Sequence, residues 1–157
     1  MSGDRASAPG APTPVGPRRA PAGSDSVFLV GAGLVVDEAT PIHVGGHIEL
    51  GPEHHTPWGI VHGGVYAIAV ESAASIGATA SVSARGQVAV GLTNTTHFLR
   101  SLAAGRVAVD ARALYQGRTH QLWRVDITDG SGRLVAHGEV RLQNIEALPT
   151  ETPAPTA

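Results

Sequence analysis

The stretch "WGIVHGGVYAIAVESAASIGATA", Trp58 to Ala80, constrains this chain more than any other. From Gly63 to about Ser81 it reads as one long helix, apolar or small on every side: Val65, Ala67, Ile68, Ala69, Val70, Ala73, Ala74, Ile76, Ala78. A helix that is apolar all round is a buried helix, so the rest of the chain must cover it. Yet it carries one carboxylate, Glu71, and no basic residue. An ionised acid in such surroundings is costly unless it is paired, hydrogen-bonded or reprotonated.

The covering material reads as strands. From Arg106, the residues Val107, Val109, Ala111, Ala113 and Tyr115 share one face, while Arg106, Asp110 and Arg112 share the other. Trp123, Val125 and Ile127 alternate with Leu122, Arg124 and Asp126. After "DGSG", a hairpin signal, Leu134, Ala136, Val140 and Leu142 alternate with Arg133, His137, Glu139 and Arg141. Such alternation marks strands with one buried face. "QVAVGLTNTTHF", Gln87 to Phe98, reads as a further strand with Val88, Val90, Leu92 and Phe98 on one side. Two earlier strands are expected at Val27–Val36 and Ile42–Leu50. Six strands and one enveloped helix are arranged most economically as a curved antiparallel sheet wrapped around that helix, with Ala and Gly letting the strands approach it. This is the α+β hotdog architecture.

Eight of the eleven prolines lie near the two ends, from Pro9 to Pro21 and from Pro149 to Pro155. Pro/Ala/Gly/Ser-rich stretches bury too little apolar surface to fold. The expectation is disordered tails over 1–26 and 147–157 flanking a single domain over 27–146. A hydrophobic share of 42% in 157 residues suits one domain with a genuine core.

Absences narrow the chemistry. The chain has no Cys and no Lys, which removes disulfides, thiolate nucleophiles, Schiff-base chemistry and Walker-type phosphate loops. A net charge of −2 leaves no polybasic footprint for nucleic acid. No apolar run reads as long enough to span a bilayer. Arg18-Arg19 ahead of "SVFLVGAGLVV" raises the possibility of an export signal, but Asp25 and the interrupting glycines argue for a cytoplasmic protein.

"HGG", His62-Gly63-Gly64, opens the helix. The first helical turn leaves N–H groups unpaired with partial positive charge, a ready site for an oxyanion or phosphate. On a plainer reading the two glycines merely allow tight packing. Glu71 reads either as a base or nucleophile, or as an acid held by backbone or by an Arg from the sheet. Ser75 lies four residues on, hence on the same face, within reach of that acid or of a water beside it. Gly63 and Glu71 are eight residues apart, roughly 12 Å at helical rise. One carbonyl cannot touch both, so cooperation requires the Gly63 amide of one subunit and Glu71 of another, as in a two-fold dimer with antiparallel central helices.

"WGIVHGGVYAIAVESAAS", "AVGLTNTTHFLRSLAAGRVAVDARALYQGR" and "VDITDGSGRLVAHGEV" together resemble the PaaI-like hotdog acyl-CoA thioesterases. The resemblance is nearest to the 4-hydroxybenzoyl-CoA thioesterase branch that uses a catalytic Glu, and it covers about Trp58 to Val140. It implies hydrolysis of a medium-chain or aromatic acyl-CoA by a homotetramer built as a dimer of dimers, with CoA bound as part of the substrate and no separate cofactor. Carried over by position, Glu71 is the nucleophile or general base and the Gly63 amide polarises the thioester carbonyl. Ser75 stands where the branch has a Thr that positions water or the acid, and Thr56 where it has a Gln beside the carbonyl. His62 and Gly64 shape the helix start, Asn94 matches a polar position without a role, and Arg100 matches a residue that meets the CoA phosphates. Many PaaI-like relatives carry Asp at the acid position.

Eight His residues invite a metal hypothesis, centred on His54-His55 with His43, His47 and His62. Adjacent His residues point in different directions on a strand or loop, no H-x-x-x-H helix or H-E-x-x-H motif supports it, and the expectation is no metal site. A non-catalytic acyl-CoA-binding module is the alternative function. A hydratase of the same fold would need an Asp beside His62, where the nearest upstream acid is Glu53.

Overall fold

The computed structural model describes residues 31–147, so the expectations for the tails over 1–26 and 147–157, Ala147 apart, and for the start of the first strand, fall outside the described residues. Six strands form one antiparallel sheet: β1 (Val35–Ala39), β2 (His43–Leu50), β3 (Gln87–Phe98), β4 (Gly105–Gln116), β5 (His120–Asp129) and β6 (Leu134–Glu146). Their spatial order is β1-β2-β4-β5-β6-β3. One long helix, α1 (Gly63–Val82), crosses the concave face of the sheet. This is the hotdog architecture expected from the pattern.

The helix is packed at close quarters. Trp123 of β5, fully buried, presses its indole on Gly77: a β-carbon at 77 would stand 2.7 Å from Cζ3. Val70 packs in the same way on Gly138 of β6, where a β-carbon would lie 2.6 Å from Cγ1. Ile48, Val107, Val125, Ile127, Val140 and Leu142 fill the remainder of the core at 0% exposure. A buried polar clamp joins the far end of α1 to the β4–β5 turn. Gln121 donates through Nε2 to Ala78 O (3.0 Å) and Asn144 Oδ1 (2.8 Å), and accepts from Trp123 Nε1 (3.0 Å). Asn144 Nδ2 then donates to Gly117 O at 3.0 Å.

"DGSG" makes the β5–β6 hairpin because Asp129 Oδ1 accepts from the Ser131 hydroxyl (2.7 Å) and from the amides of Ser131 (2.9 Å) and Arg133 (3.0 Å). Those donors, the Ser131 hydroxyl first, hold the Asp129 carboxyl well below the usual carboxylate range.

Several expectations are corrected. Among the described residues the first strand starts at Val35, since Gly31 and Ala32 are helical and Gly33 turns the chain with φ +75°. Tyr115 does not share the buried face of β4: a register shift between Ala113 and Tyr115 turns it outward, 52% exposed. On β3 the expected face is inverted over the first half. Ala89, not Val88 or Val90, is buried in the core, and Leu92 is 46% exposed. A register shift between Gly91 and Thr93 then changes the phase, so that Asn94 and Phe98 reach the helix. At Gly91 the space toward α1 is taken by the Glu71 side chain, whose carboxylate a β-carbon there would meet.

The helix is also not enveloped. The sheet covers Tyr66, Ala69, Val70, Ala73, Ala74, Gly77 and Ala78, while Ala67, Ile68, Glu71, Ser75, Ile76 and Thr79 form a half-buried stripe. Contrary to the expectation about apolar runs, 63–85 is long and apolar enough to cross a membrane by length and composition, and half of its apolar window is buried within the fold.

Candidate active site

The helix start is built from the loop before it. Val61 N–H donates to Leu102 O (2.8 Å) and His62 N–H to His54 O (2.8 Å), fixing the approach to α1. His62 is the N-cap: its Nδ1 accepts from the Gly64 amide at 2.8 Å, and its carbonyl accepts from Val65 at 3.0 Å. The capping side chain uses the Gly64 amide and leaves the Gly63 amide without a partner among the described residues. The Phe98 ring lies on Gly63, where a β-carbon would stand 2.8 Å from Cε2. His54, His55, His62, Gly64, Val65 and Ile68 line a cavity of about 590 Å³ beside this helix start.

Two turns on, Glu71 borders a second cleft of about 480 Å³ with Ser72, Ser75, Ile76 and Thr79. Ser75 lies in it as the i+4 spacing requires. Glu71 is half-buried rather than sealed in an apolar interior, because the residue of β3 beneath it is Gly91 and no side chain roofs the acid. No arginine neutralises it: the guanidinium ion pairs among the described residues go to Glu49, Asp110, Asp126 and Asp129. Glu71 makes no side-chain hydrogen bond among the described residues either. A carboxylate on a core helix, facing a cleft and unpaired, is available to accept a proton or attack a carbon.

The other expected residues lie at varied distances from this acid. Asn94 donates through Nδ2 to the Ala67 carbonyl (3.0 Å) and accepts from the Thr96 hydroxyl (2.7 Å), tying β3 to α1 one turn before Glu71. Arg100 is exposed after β3, its Nε on Leu134 O at 3.2 Å. The Thr56 hydroxyl accepts from the Trp58 amide at 3.3 Å within its own turn. Within one chain, then, the helix start and Glu71 remain two separate clusters.

Sequence reasoning missed Gly91 and Tyr66. Gly91 had a signal, since an isolated glycine inside a strand marks a bulge or a close approach. Tyr66 is 2% exposed with no partner for its hydroxyl among the described residues, and burial pushes its phenol up.

Comparison with known proteins bears on the family and the fold. The thioesterase superfamily model matches residues 59–136. Rv1847 of Mycobacterium tuberculosis, a protein named as an esterase, is 43% identical over 119 residues, covering 74% of this chain and 85% of its own. Its solved structure superposes with a TM-score of 0.74 over 78% of this chain and 98% of that one. The crystal structure of AziG from S. sahachiroi is 34% identical, with a TM-score of 0.74 over 77% of this chain and 98% of that one. A 1,4-dihydroxy-2-naphthoyl-CoA hydrolase of Listeria monocytogenes is 36% identical over 88 residues, 56% of this chain and 71% of its own. With this architecture, and relatives matched over most of their length, the chain belongs to the thioesterase superfamily of thioester-hydrolysing enzymes.

Proposed function

We propose that this thioesterase hydrolyses a medium-chain or aromatic acyl-CoA to the free acid and CoA, with Glu71 as nucleophile or general base. The observation that carries this reading is the unpaired Glu71 carboxylate at the cleft with Ser75. As general base, Glu71 takes a proton from water while the water oxygen bonds to the thioester carbon. The tetrahedral oxyanion then collapses with loss of CoA thiolate, which leaves with a proton. As nucleophile, the carboxylate adds to the thioester carbon, the C–S bond breaks with loss of CoA thiolate, which leaves with a proton, and water hydrolyses the resulting anhydride to the free acid and Glu71. In both routes negative charge grows on the carbonyl oxygen, and the partnerless Gly63 amide with the helix dipole behind it is suited to receive that charge.

The separation of roughly 12 Å along α1 is too long for one carbonyl to touch both parts, which supports a site shared between two subunits. The reading is therefore of a dimer at minimum and a tetramer as dimer of dimers, acting in the cytoplasm. β3 supports it: this strand of 12 residues ends the sheet, with Asn94, Thr95, His97 and Phe98 exposed. A long uncovered edge is a natural place for a second copy to pair. Ser75 would orient the water or the acid, Arg100 would meet the CoA phosphates, and Thr56, His62, Gly64 and Asn94 would frame the substrate. The naphthoyl-CoA substrate in the name of the Listeria relative favours an aromatic acyl group.

The test is release of CoA thiol from a panel of acyl- and aryl-CoAs by the wild type and by Glu71→Ala, beside sedimentation of both. Turnover by the wild type and its loss in the folded variant support the reading. Binding without turnover in either protein would make this an acyl-CoA-binding module, and full turnover by Glu71→Ala would move the site elsewhere.

A further inference from the structure

Gly91 is not explained by its backbone. It lies outside the glycines with positive φ, which are Gly33, Gly59, Gly86, Gly105 and Gly132. It sits inside a paired strand, opposite Leu142 of β6, where glycine is unfavourable because it adds flexibility and packs nothing. What distinguishes the position is its neighbour. A β-carbon at 91 would overlap Oε1 of Glu71 and stand 3.2 Å from Cδ, and all three nearest atoms belong to that carboxylate. The strand gives up a side chain where the acid lies.

The neighbouring irregularity fits the same purpose. Before the register shift, Ala89 and Gly91 face α1; after it, Asn94 and Phe98 do. Leu92, the residue inserted at the shift, points away from the core. Bulges re-aim side chains and are common beside active sites. Here the bulge lets small residues pass under Glu71 and still brings Asn94 to the Ala67 carbonyl.

We infer that Gly91 is a positioning residue for Glu71: its missing side chain seats the carboxylate against the β3 backbone and so sets the acid's place in the cleft. The inference rests on the reading of Glu71 as the working acid. A methyl group at 91 and a glutamate at 71 compete for one volume, and a displacement of about 1 Å can cost around 10²-fold in rate. Aspartate, one methylene shorter, leaves room for that methyl group.

The experiment is a double-mutant cycle over Gly91→Ala and Glu71→Asp, read as kcat and KM for CoA-thiol release on the best substrate of the panel. Gly91→Ala is expected to lower kcat by about 10- to 100-fold with KM changed less than about threefold. The double variant is expected to exceed the product of the two single effects by about tenfold or more. Unfolding midpoints supply a second cycle that does not need activity. Because the methyl group meets only the end of the Glu71 side chain, Gly91→Ala is expected to raise the midpoint more in the Glu71→Ala background than in the wild type, and equal changes in the two backgrounds would overturn the inference. Wild-type kcat in Gly91→Ala, or effects that simply multiply, would overturn the inference. Should Gly91→Ala fail to fold, a Gly91→Ala/Glu71→Ala protein that also fails would overturn it, and one that folds would support it. Full activity in Glu71→Ala would instead sink the catalytic reading, whereas an inactive Glu71→Ala beside a fully active Gly91→Ala sinks this inference alone.

Discussion

Asn94 donates through Nδ2 to the carbonyl of Ala67 at 3.0 Å, a bond from the edge strand to the central helix. In an α-helix that carbonyl is also the acceptor for the amide of residue 71. The side chain of Asn94 thus steadies the turn that carries the acid, and Thr96 steadies Asn94 through its hydroxyl at 2.7 Å. Asn94→Ala removes the strap without touching the carboxylate. Steady-state kinetics should show kcat lowered by about tenfold, the scale set by a sub-ångström drift of a reacting group. A kcat equal to wild type would show that the turn holds itself.

Gly77 makes a prediction about stability alone. Alanine is the better helix former by about 1 kcal/mol, so Gly77→Ala would stabilise an exposed helix. Here the new methyl group would run into the buried Trp123 indole, 2.7 Å from Cζ3. Overpacking costs about 1–3 kcal/mol, so the variant should unfold at lower urea than wild type. A stabilised variant would mean that Trp123 has room to shift.

Gln121 is fully buried and serves five hydrogen bonds, from Gln116, Ser81 and Trp123 and to Ala78 and Asn144. Gln121→Leu fits the space but orphans the Trp123 N–H and the Asn144 oxygen. Each buried group left unsatisfied costs about 1–3 kcal/mol. Calorimetry should show a clear loss of thermal stability, while turnover per folded molecule at low temperature should match wild type, since the clamp holds the end of α1 away from Glu71. A variant as stable as wild type would show the network to be dispensable.

Asp110 links stability to pH. Partial burial pushes its carboxyl up, but hydrogen bonds from His43 (2.7 Å) and Arg112 (2.9 Å) outweigh that and hold it below the ordinary value. A depressed folded pKa means stabilisation that is fully present above the unfolded value, roughly 4, and is lost as pH falls through the folded pKa. Asp110→Asn should therefore lose a modest amount of stability at neutral pH, the group being 41% exposed and screened. Its melting temperature should also fall less steeply below about pH 4. Parallel melting curves from pH 2 to 7 would contradict the assignment.

Much of the fold was legible because α1, β5 and β6 have one-sided or all-round burial that writes a period into the chain. Trp123, Val125 and Ile127 point inward as their alternation requires. Glu71 was legible as the one charge on the helix, and Ser75 followed from helical spacing. The bond from Asn94 was not, because its acceptor is a backbone atom that no residue identity reveals.

What the amino-acid order decided by itself was the helix, the antiparallel strands and the acid between them, since periodicity and a solitary charge are local properties. Only the tertiary structure decided the phase of β3. Hydrophobicity would place Val88, Val90 and Leu92 inside, but the face toward α1 belongs to Ala89 and Gly91, with the Glu71 carboxylate filling the space at 91. The strand therefore turns Ala89 and Gly91 inward and uses its bulge to recover Asn94 and Phe98. The fit of side chain against side chain outranks transfer free energy there, and no period in the sequence encodes that fit.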